Sequence, residues 1–326
     1  MELHPSCDIL GSEMAVGFAP GKVILFGEHA VVYGRPAIAV PVTQVGAQVS
    51  VKRGVGGGGV LIQAKDLGLS HTMGESPVDE ALEPVVSLVE SSLEYLGVRF
   101  PPPLVITITS TIPIARGLGS GAAVSIALVR GLSEHFGREL GPEEVSALVY
   151  EAEKFHHGTP SGIDNTVISY GRPIHFVRGQ PPQILKVGKP FLLAIGDSGV
   201  ESPTKVVVEE VRRRWEREPS KYEPLFDQIG RVAERAKKEM EGGNLGRLGS
   251  LMDENQALLQ ELGVSSPQLD GLVKAAREAG ALGAKLSGAG RGGSVIALIE
   301  KRSREAVMAA LERGGAQRVI TTEVSS

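Results

Sequence analysis

The sequence runs to 326 residues, room for two domains of ordinary size, and its 42% hydrophobic but only 4% aromatic content calls for an aliphatic core. A net charge of −4, with acids and bases interspersed, carries no polyanion-binding signal, and no basic run interleaved with aromatics points to nucleic acid. The single cysteine, Cys7, excludes an intramolecular disulfide framework and a cysteine-based zinc site, and suits a reducing, cytoplasmic compartment. No stretch reaches the roughly 18 consecutive apolar residues of a membrane span. The segment from Met1 to Val16 carries Glu2, Asp8 and Glu13 and lacks the basic start and apolar run of a signal peptide.

In chain order, Val16–Ala19 and Val23–Phe26 flank Pro20-Gly21 and predict a β-hairpin. Ala37–Val42 and Gln44–Lys52 predict two more strands, and the glycine run Gly54–Gly59 predicts a flexible hairpin tip. Pro84–Leu96 has helical spacing, Leu104–Thr109 reads as a strand, and the small apolar run Ala122–Leu132 as a buried helix. Pro142–Phe155 is an amphipathic helix with proline well placed near its first turn. Thr166–Tyr170 and Ile174–Val177 read as a strand pair. The proline-rich stretch Gly179–Pro190 breaks the pattern and suggests a domain seam, dividing the chain into 1–188 and 189–326. After strand Phe191–Ile195, helices are predicted over Thr204–Arg217, Tyr222–Glu241, Leu245–Leu262 and Gln268–Ala279. Strand Val295–Ile299, helix Arg302–Arg313 and strand Arg318–Thr322 close the chain, so the class is α+β.

Chemistry concentrates in three places. Between a strand and a helix lies Gly117-Leu118-Gly119-Ser120-Gly121-Ala122, where glycines let backbone N–H groups approach an anion and the helix N-terminus adds positive potential. The alternative is a tight turn and close-packed helix. The loop is not a Walker A motif, since no Gly-Lys-Ser/Thr follows. The run Gly288–Gly293 has the spacing of a dinucleotide fingerprint, but a strand follows it, so that reading fails. Lys22 stands at a strand start with Glu28 and His29 beyond the strand; solvated surface charge is the alternative. Glu153 stands near a helix end, where the dipole disfavours an acid, and Asp164 stands in a Pro/Gly-rich loop. Together Lys22, Ser120, Glu153 and Asp164 supply a cation, a hydroxyl and two carboxylates, the set that phosphoryl transfer needs.

Three segments in order, Ala19–Gly34, Pro113–Ala123 and Lys285–Gly293, resemble the GHMP kinases. Gly27-Glu-His-Ala-Val-Val-Tyr-Gly34 and His157-Gly-Thr-Pro-Ser-Gly-Ile-Asp-Asn165 are most similar to that family's mevalonate kinase branch. The resemblance implies a ribosomal-S5-like N-terminal domain, a ferredoxin-like C-terminal domain, ATP as co-substrate, Mg²⁺ and mevalonate as acceptor. It also implies a homodimer, and no nucleic-acid or membrane partner is expected. By motif position Asp164 matches the catalytic aspartate and Lys22 the lysine that stabilises the ionising hydroxyl. Positioning and charge stabilisation then matter more than proton abstraction. Gly117–Ala122 match the phosphate loop and Glu153 the Mg²⁺ ligand, with Ser120 a second. Glu28, His29, Thr204 and Gly288 match substrate-side positions. Two departures stand out: Ser120-Gly121 where the family usually has two serines, and Arg291 inside a glycine run. A different GHMP acceptor, or a non-catalytic sensor of the same fold, are the competing readings.

Overall fold

The computed structural model describes residues 14–55, 59–157, 161–202 and 204–326. The chain folds as two compact units that interleave in sequence. One holds the chain up to Ala19 with 46–111 and 121–158; the other holds 20–45, 112–120 and 159–326.

In the first unit, strands β1 (Met14–Phe26), β2 (Ala37–Arg53), β3 (Val60–Ala64) and β4 (Leu69–Thr72) precede helix α1 (Glu83–Tyr95) and strand β5 (Leu104–Ser110). Helices α2 (Ser120–His135) and α3 (Pro142–His157) follow. The order β4-β3-β5-β2 places β5 between β2 and β3, antiparallel to the former and parallel to the latter. The Gly54–Gly59 run is therefore a crossover rather than a hairpin tip, its residues 56–58 lying outside the described residues. Strand β1 lies hard against α2: a Cβ on Gly17 would stand 2.0 Å from the Ala127 carbonyl oxygen.

β1 and β2 both continue into the second unit. There Ala37–Ala39 of β2 pair antiparallel with β6 (Ile174–Phe176), after helix α4 (Ile163–Tyr170), and β6 pairs with β7 (Gln183–Ile184). Then come β8 (Phe191–Asp197), helices α5 (Thr204–Arg217), α6 (Pro219–Gly242), α7 (Leu245–Glu261) and α8 (Pro267–Glu278), and strands β9 (Gly283–Ser287) and β10 (Ser294–Ile299). Helix α9 (Arg304–Arg313) and strand β11 (Arg318–Val324) end the chain. The sheet β11-β8-β10-β9 is antiparallel throughout, and Ser294 stands opposite both Asp197 and Ser287. That register lines up the ends of β8, β9 and β10, so the segments carrying 198–202 and 288–293 leave from one edge. Every residue of β10 is buried, the continuous apolar pattern of a strand covered on both faces. No helix among the described residues is long and apolar enough to cross a membrane.

Three further sequence expectations change. Pro20-Gly21 is no turn: β1 runs through it as one strand. The glycine serves close approach, since a Cβ there would meet Val45 Cγ2 at 3.1 Å and the Leu118 carbonyl oxygen at 3.2 Å. The two strands expected over 37–52 are one, β2, continuous through Pro41. Thr166–Tyr170 belongs to helix α4, bracketed by Gly162 and Gly171 in the left-handed conformation. Its β-branched run reads equally as a buried helix, and Ile163, Val167 and Ile168 are fully buried.

Two glycines hold α7 against β9: a Cβ on Gly283 would lie 2.0 Å from the Gly249 carbonyl oxygen, and one on Gly249 would lie 2.2 Å from that of Leu282. We expect Gly283→Ala to destabilise the protein by about 2 kcal/mol or more through overpacking. Gly271→Ala, in an exposed turn of α8 with nothing within 4 Å of the new methyl, should stabilise by roughly 0.5–1 kcal/mol. Denaturant melts of both variants test the pair.

Candidate active site

The glycine-rich loop is shaped by what holds its backbone. The Lys22 amide donates to the Leu118 carbonyl at 3.0 Å, and the Ser202 amide donates to the Ala115 carbonyl at 2.9 Å. The Ser294 hydroxyl donates to the Arg116 carbonyl at 2.9 Å. Ala115 has a positive φ of 56°, a strained value for a residue with a Cβ, which these bonds sustain. At Gly119, φ is 76° and an added Cβ would stand 2.8 Å from Lys22 Cγ and 3.0 Å from Ile168 Cδ1. Only glycine lets the Lys22 stem pass so close to the loop.

Lys22 is 3% exposed, and its Nζ lies 3.0 Å from Asp164 Oδ1, whose side chain is 37% exposed. Asp164 occupies the first turn of α4, where unsatisfied amides favour a carboxylate. It is therefore a helix-terminal acid, not a residue in a loop ahead of a strand. Asp164 Oδ2 has no hydrogen-bond partner among the described residues, and more than a third of the side chain is exposed. The buried ammonium is thus neutralised by an acid that stays accessible.

Beyond β1, Glu28 is sealed at 1% exposure. It forms an ion pair with Lys285 of β9, which is fully buried, and accepts a hydrogen bond from Asn255 Nδ2 of α7 at 3.1 Å. Burial pushes the Lys285 ammonium down from its usual range, and the neighbouring Glu28 opposes that shift. His29, 5% exposed, sets its Nε2 2.9 Å from the Ala289 carbonyl oxygen. Its pKa is lowered to about 4, chiefly by burial; the Ala289 carbonyl opposes this, and the charges of Arg214 and Arg291 add to it. Ser287 ties β9 to β1, accepting from the Ile24 amide at 3.1 Å and donating to the Ile24 carbonyl at 3.0 Å.

Of the residues singled out from sequence, Lys22, Glu28, His29, Gly117–Ser120, Asp164, Thr204 and Gly288 fall in the second unit. Gly121 and Ala122, which continue the loop into α2, and Glu153 of α3 fall in the first. Thr204 opens α5 as an exposed residue whose amide donates to the Ser202 carbonyl at 2.8 Å. Buried Gly288 backs onto Gly117. Arg291 pairs with Glu210 of α5 at 2.5 Å, both about a third exposed, a pair worth at most about 1 kcal/mol. His156 and His157 end α3, and their side chains lie outside the description.

Sequence reasoning missed Lys285 as a partner for Glu28, and missed Asn255, Ser202 and Ser294 altogether. One signal was present: a lysine between Ala284 and Leu286 in a short apolar strand is a charge that must find a partner. Arg116, in the loop itself, directs Nε towards Asp197 Oδ1 at 3.4 Å.

Residues 78–172 match the family model for the GHMP kinases N terminal domain, and residues 236–317 that for GHMP kinases C terminal. The chain is similar to the mevalonate kinase of Thermococcus sibiricus, 37% identical over 93% of this chain and 94% of that one. It is also similar to that of Pyrococcus horikoshii, 38% identical over 91% and 92%. Among solved structures it is similar to the L. major mevalonate kinase in complex with R-mevalonate, with 28% identity, a TM-score of 0.80 and 96% of each chain covered.

The low His29 pKa has a sign that can be checked. Between about pH 4 and 6.5 the unfolded chain holds this proton and the folded chain does not. Stability from this group is therefore complete above pH 6.5 and falls as pH drops towards 4, by on the order of 3 kcal/mol. We expect an NMR titration to give His29 a midpoint near 4; a midpoint near 6.5 would show that the ring is solvated.

Proposed function

Because this chain belongs to the GHMP kinases, we infer that it transfers the γ-phosphoryl group of ATP to the 5-hydroxyl of mevalonate, yielding 5-phosphomevalonate and ADP. The observation that carries the chemistry is the 3.0 Å pair of buried Lys22 and accessible Asp164 beside the glycine-rich loop.

In this reading the hydroxyl oxygen forms a bond to the γ-phosphorus while the bond from that phosphorus to the bridging β–γ oxygen breaks. Asp164 Oδ2 orients the hydroxyl and receives its proton; Lys22 stabilises the charge that develops on the attacking oxygen. With Lys22 already on Oδ1, the carboxylate is held in one orientation, so positioning and charge stabilisation supply much of the rate. Backbone amides from Gly117 to Ala122, at the N-terminus of α2, receive the phosphates.

Mg²⁺ binds in phosphoryl-transfer sites through one or two carboxylates together with phosphate oxygens. Glu153 and the Ser120 hydroxyl are oxygen donors of that kind. Among the described residues no cluster of three or more His, Cys, Asp or Glu forms an all-protein cage. In this reading Glu153 and the Ser120 hydroxyl would hold the ion, which would supply neutralisation of phosphate charge. Gly121 supplies no hydroxyl, so either Ser120 alone would serve or water would replace the missing hydroxyl.

A coupled ADP-release assay with mevalonate, ATP and Mg²⁺ tests the reading. Turnover of a sugar but not of mevalonate would overturn it. Asp164→Asn should lower kcat by about 10³-fold or more while ATP still binds; a near-normal rate would remove Asp164 from the chemistry. Glu153→Gln should shift the Mg²⁺ dependence of the rate to higher concentration, and an unmoved Mg²⁺ titration would argue against its role.

A further inference from the structure

The glycine-rich loop alternates in backbone hand. Ala115, Gly117 and Gly119 have φ of 56°, 78° and 76°, whereas Arg116 and Leu118 between them have negative φ. Alternation of this kind gathers backbone amides into an anion-binding concavity. The carbonyls decide where those amides point. In a trans peptide the C=O of one residue and the N–H of the next are antiparallel, so each bond made to a carbonyl aims one amide the opposite way. The Ala115 carbonyl is held by the Ser202 amide, the Arg116 carbonyl by the Ser294 hydroxyl and the Leu118 carbonyl by the Lys22 amide. The amides so aimed belong to Arg116, Gly117 and Gly119, and none of the three has an acceptor among the described residues.

Two of these holds run main chain to main chain; the hold on Arg116 depends on a side chain. Ser294, 1% exposed at the start of β10, stands opposite Asp197 of β8. Asp197 takes the other end of the same residue: its Oδ1 lies 3.4 Å from Arg116 Nε and also accepts from the Gly199 amide at 2.9 Å. One cross-strand pair thus grips Arg116 at both its carbonyl and its guanidinium. The strands pair through main-chain atoms, so both side chains are free to serve the loop. The grip is not made for stability alone, because it leaves Arg116 Nη1 sealed with no partner among the described residues.

We propose that Ser294 and Asp197 are positioning residues for phosphoryl transfer: together they lock the Arg116–Gly117 peptide plane so that the Gly117 amide is preset to donate to a phosphate oxygen of ATP. This rests on the kinase reading above. Neither side chain touches ATP. A plane that is already set need not be ordered on binding, so the benefit falls on ATP and not on the acceptor.

Ser294→Ala frees the plane without breaking the strand. It should raise the KM for ATP about tenfold, the size of one hydrogen bond to a charged oxygen, and leave the KM for mevalonate unchanged. Equal rises in both KM values would show general loosening and overturn the proposal, as would no rise at all. Ser294→Cys, close in volume but a weaker donor, should fall between wild type and Ser294→Ala. Asp197→Asn keeps an acceptor for the Gly199 amide and removes the charge that holds Arg116; the KM for ATP should rise about threefold, and an unchanged value overturns the part assigned to Asp197. Should the variants not fold, ¹⁵N-glycine-labelled wild-type protein decides. The Gly117 amide resonance should move on adding ATP with Mg²⁺ and stay in place with mevalonate alone; an unmoved resonance with ATP overturns the proposal. ADP release with mevalonate but no Gly117 shift overturns this proposal alone. No release and no shift overturn the kinase reading with it.

Discussion

Lys22 is a charge taken out of water, and much of the second unit is arranged around that fact. A buried ammonium without a partner costs several kcal/mol. Its amine meets Asp164, its stem fills the space that Gly119 leaves open, and its amide takes the Leu118 carbonyl. One residue on β1 thereby fixes the distance between the glycine-rich loop and the first turn of α4. The partner acid is only partly covered, so the pair is dry on the side of the lysine and wet on the side of the aspartate. A fully sealed pair would be inert, and a fully exposed one would be screened and loosely held.

The contrast with Glu28 and Lys285 is instructive. Those two have the same charges and closer contact, yet both are shut away from solvent and Asn255 satisfies a further lone pair. Nothing arriving from outside can reach them. Two lysine–acid pairs in one unit thus have opposite uses, set by burial of the acid rather than by residue type.

Much of the helical half was legible in the sequence. Thr204–Arg217 has the same bounds in both readings because its apolar residues repeat at helical spacing and polar residues cover the rest. The errors came where local composition has two meanings. Pro20-Gly21 has turn chemistry, but its glycine answers a neighbouring carbonyl far along the chain. Thr166–Tyr170 has strand chemistry, but two glycines cap it as a short helix. Lys22 and Asp164 were grouped by their chemistry, yet only the resemblance gave reason to pair them directly, and the contact between them is tertiary. The partners of Glu28 were invisible for the same reason: Asn255 and Lys285 lie 227 and 257 positions away, and no local pattern encodes such a pairing.

The glycine-rich loop is latched through the carbonyls of Ala115, Arg116 and Leu118. Main-chain atoms are the same whatever residue supplies them. The shape of the loop is therefore largely decoupled from its side chains, and its lettering is free to drift over evolutionary time while its curvature persists. Gly121 stands where the resemblance implies a serine, and Arg116 brings a guanidinium into the loop itself. Substitutions of this kind leave the main-chain latches intact, which makes such positions the natural place for a lineage to vary side chains at the loop surface without rebuilding its fold.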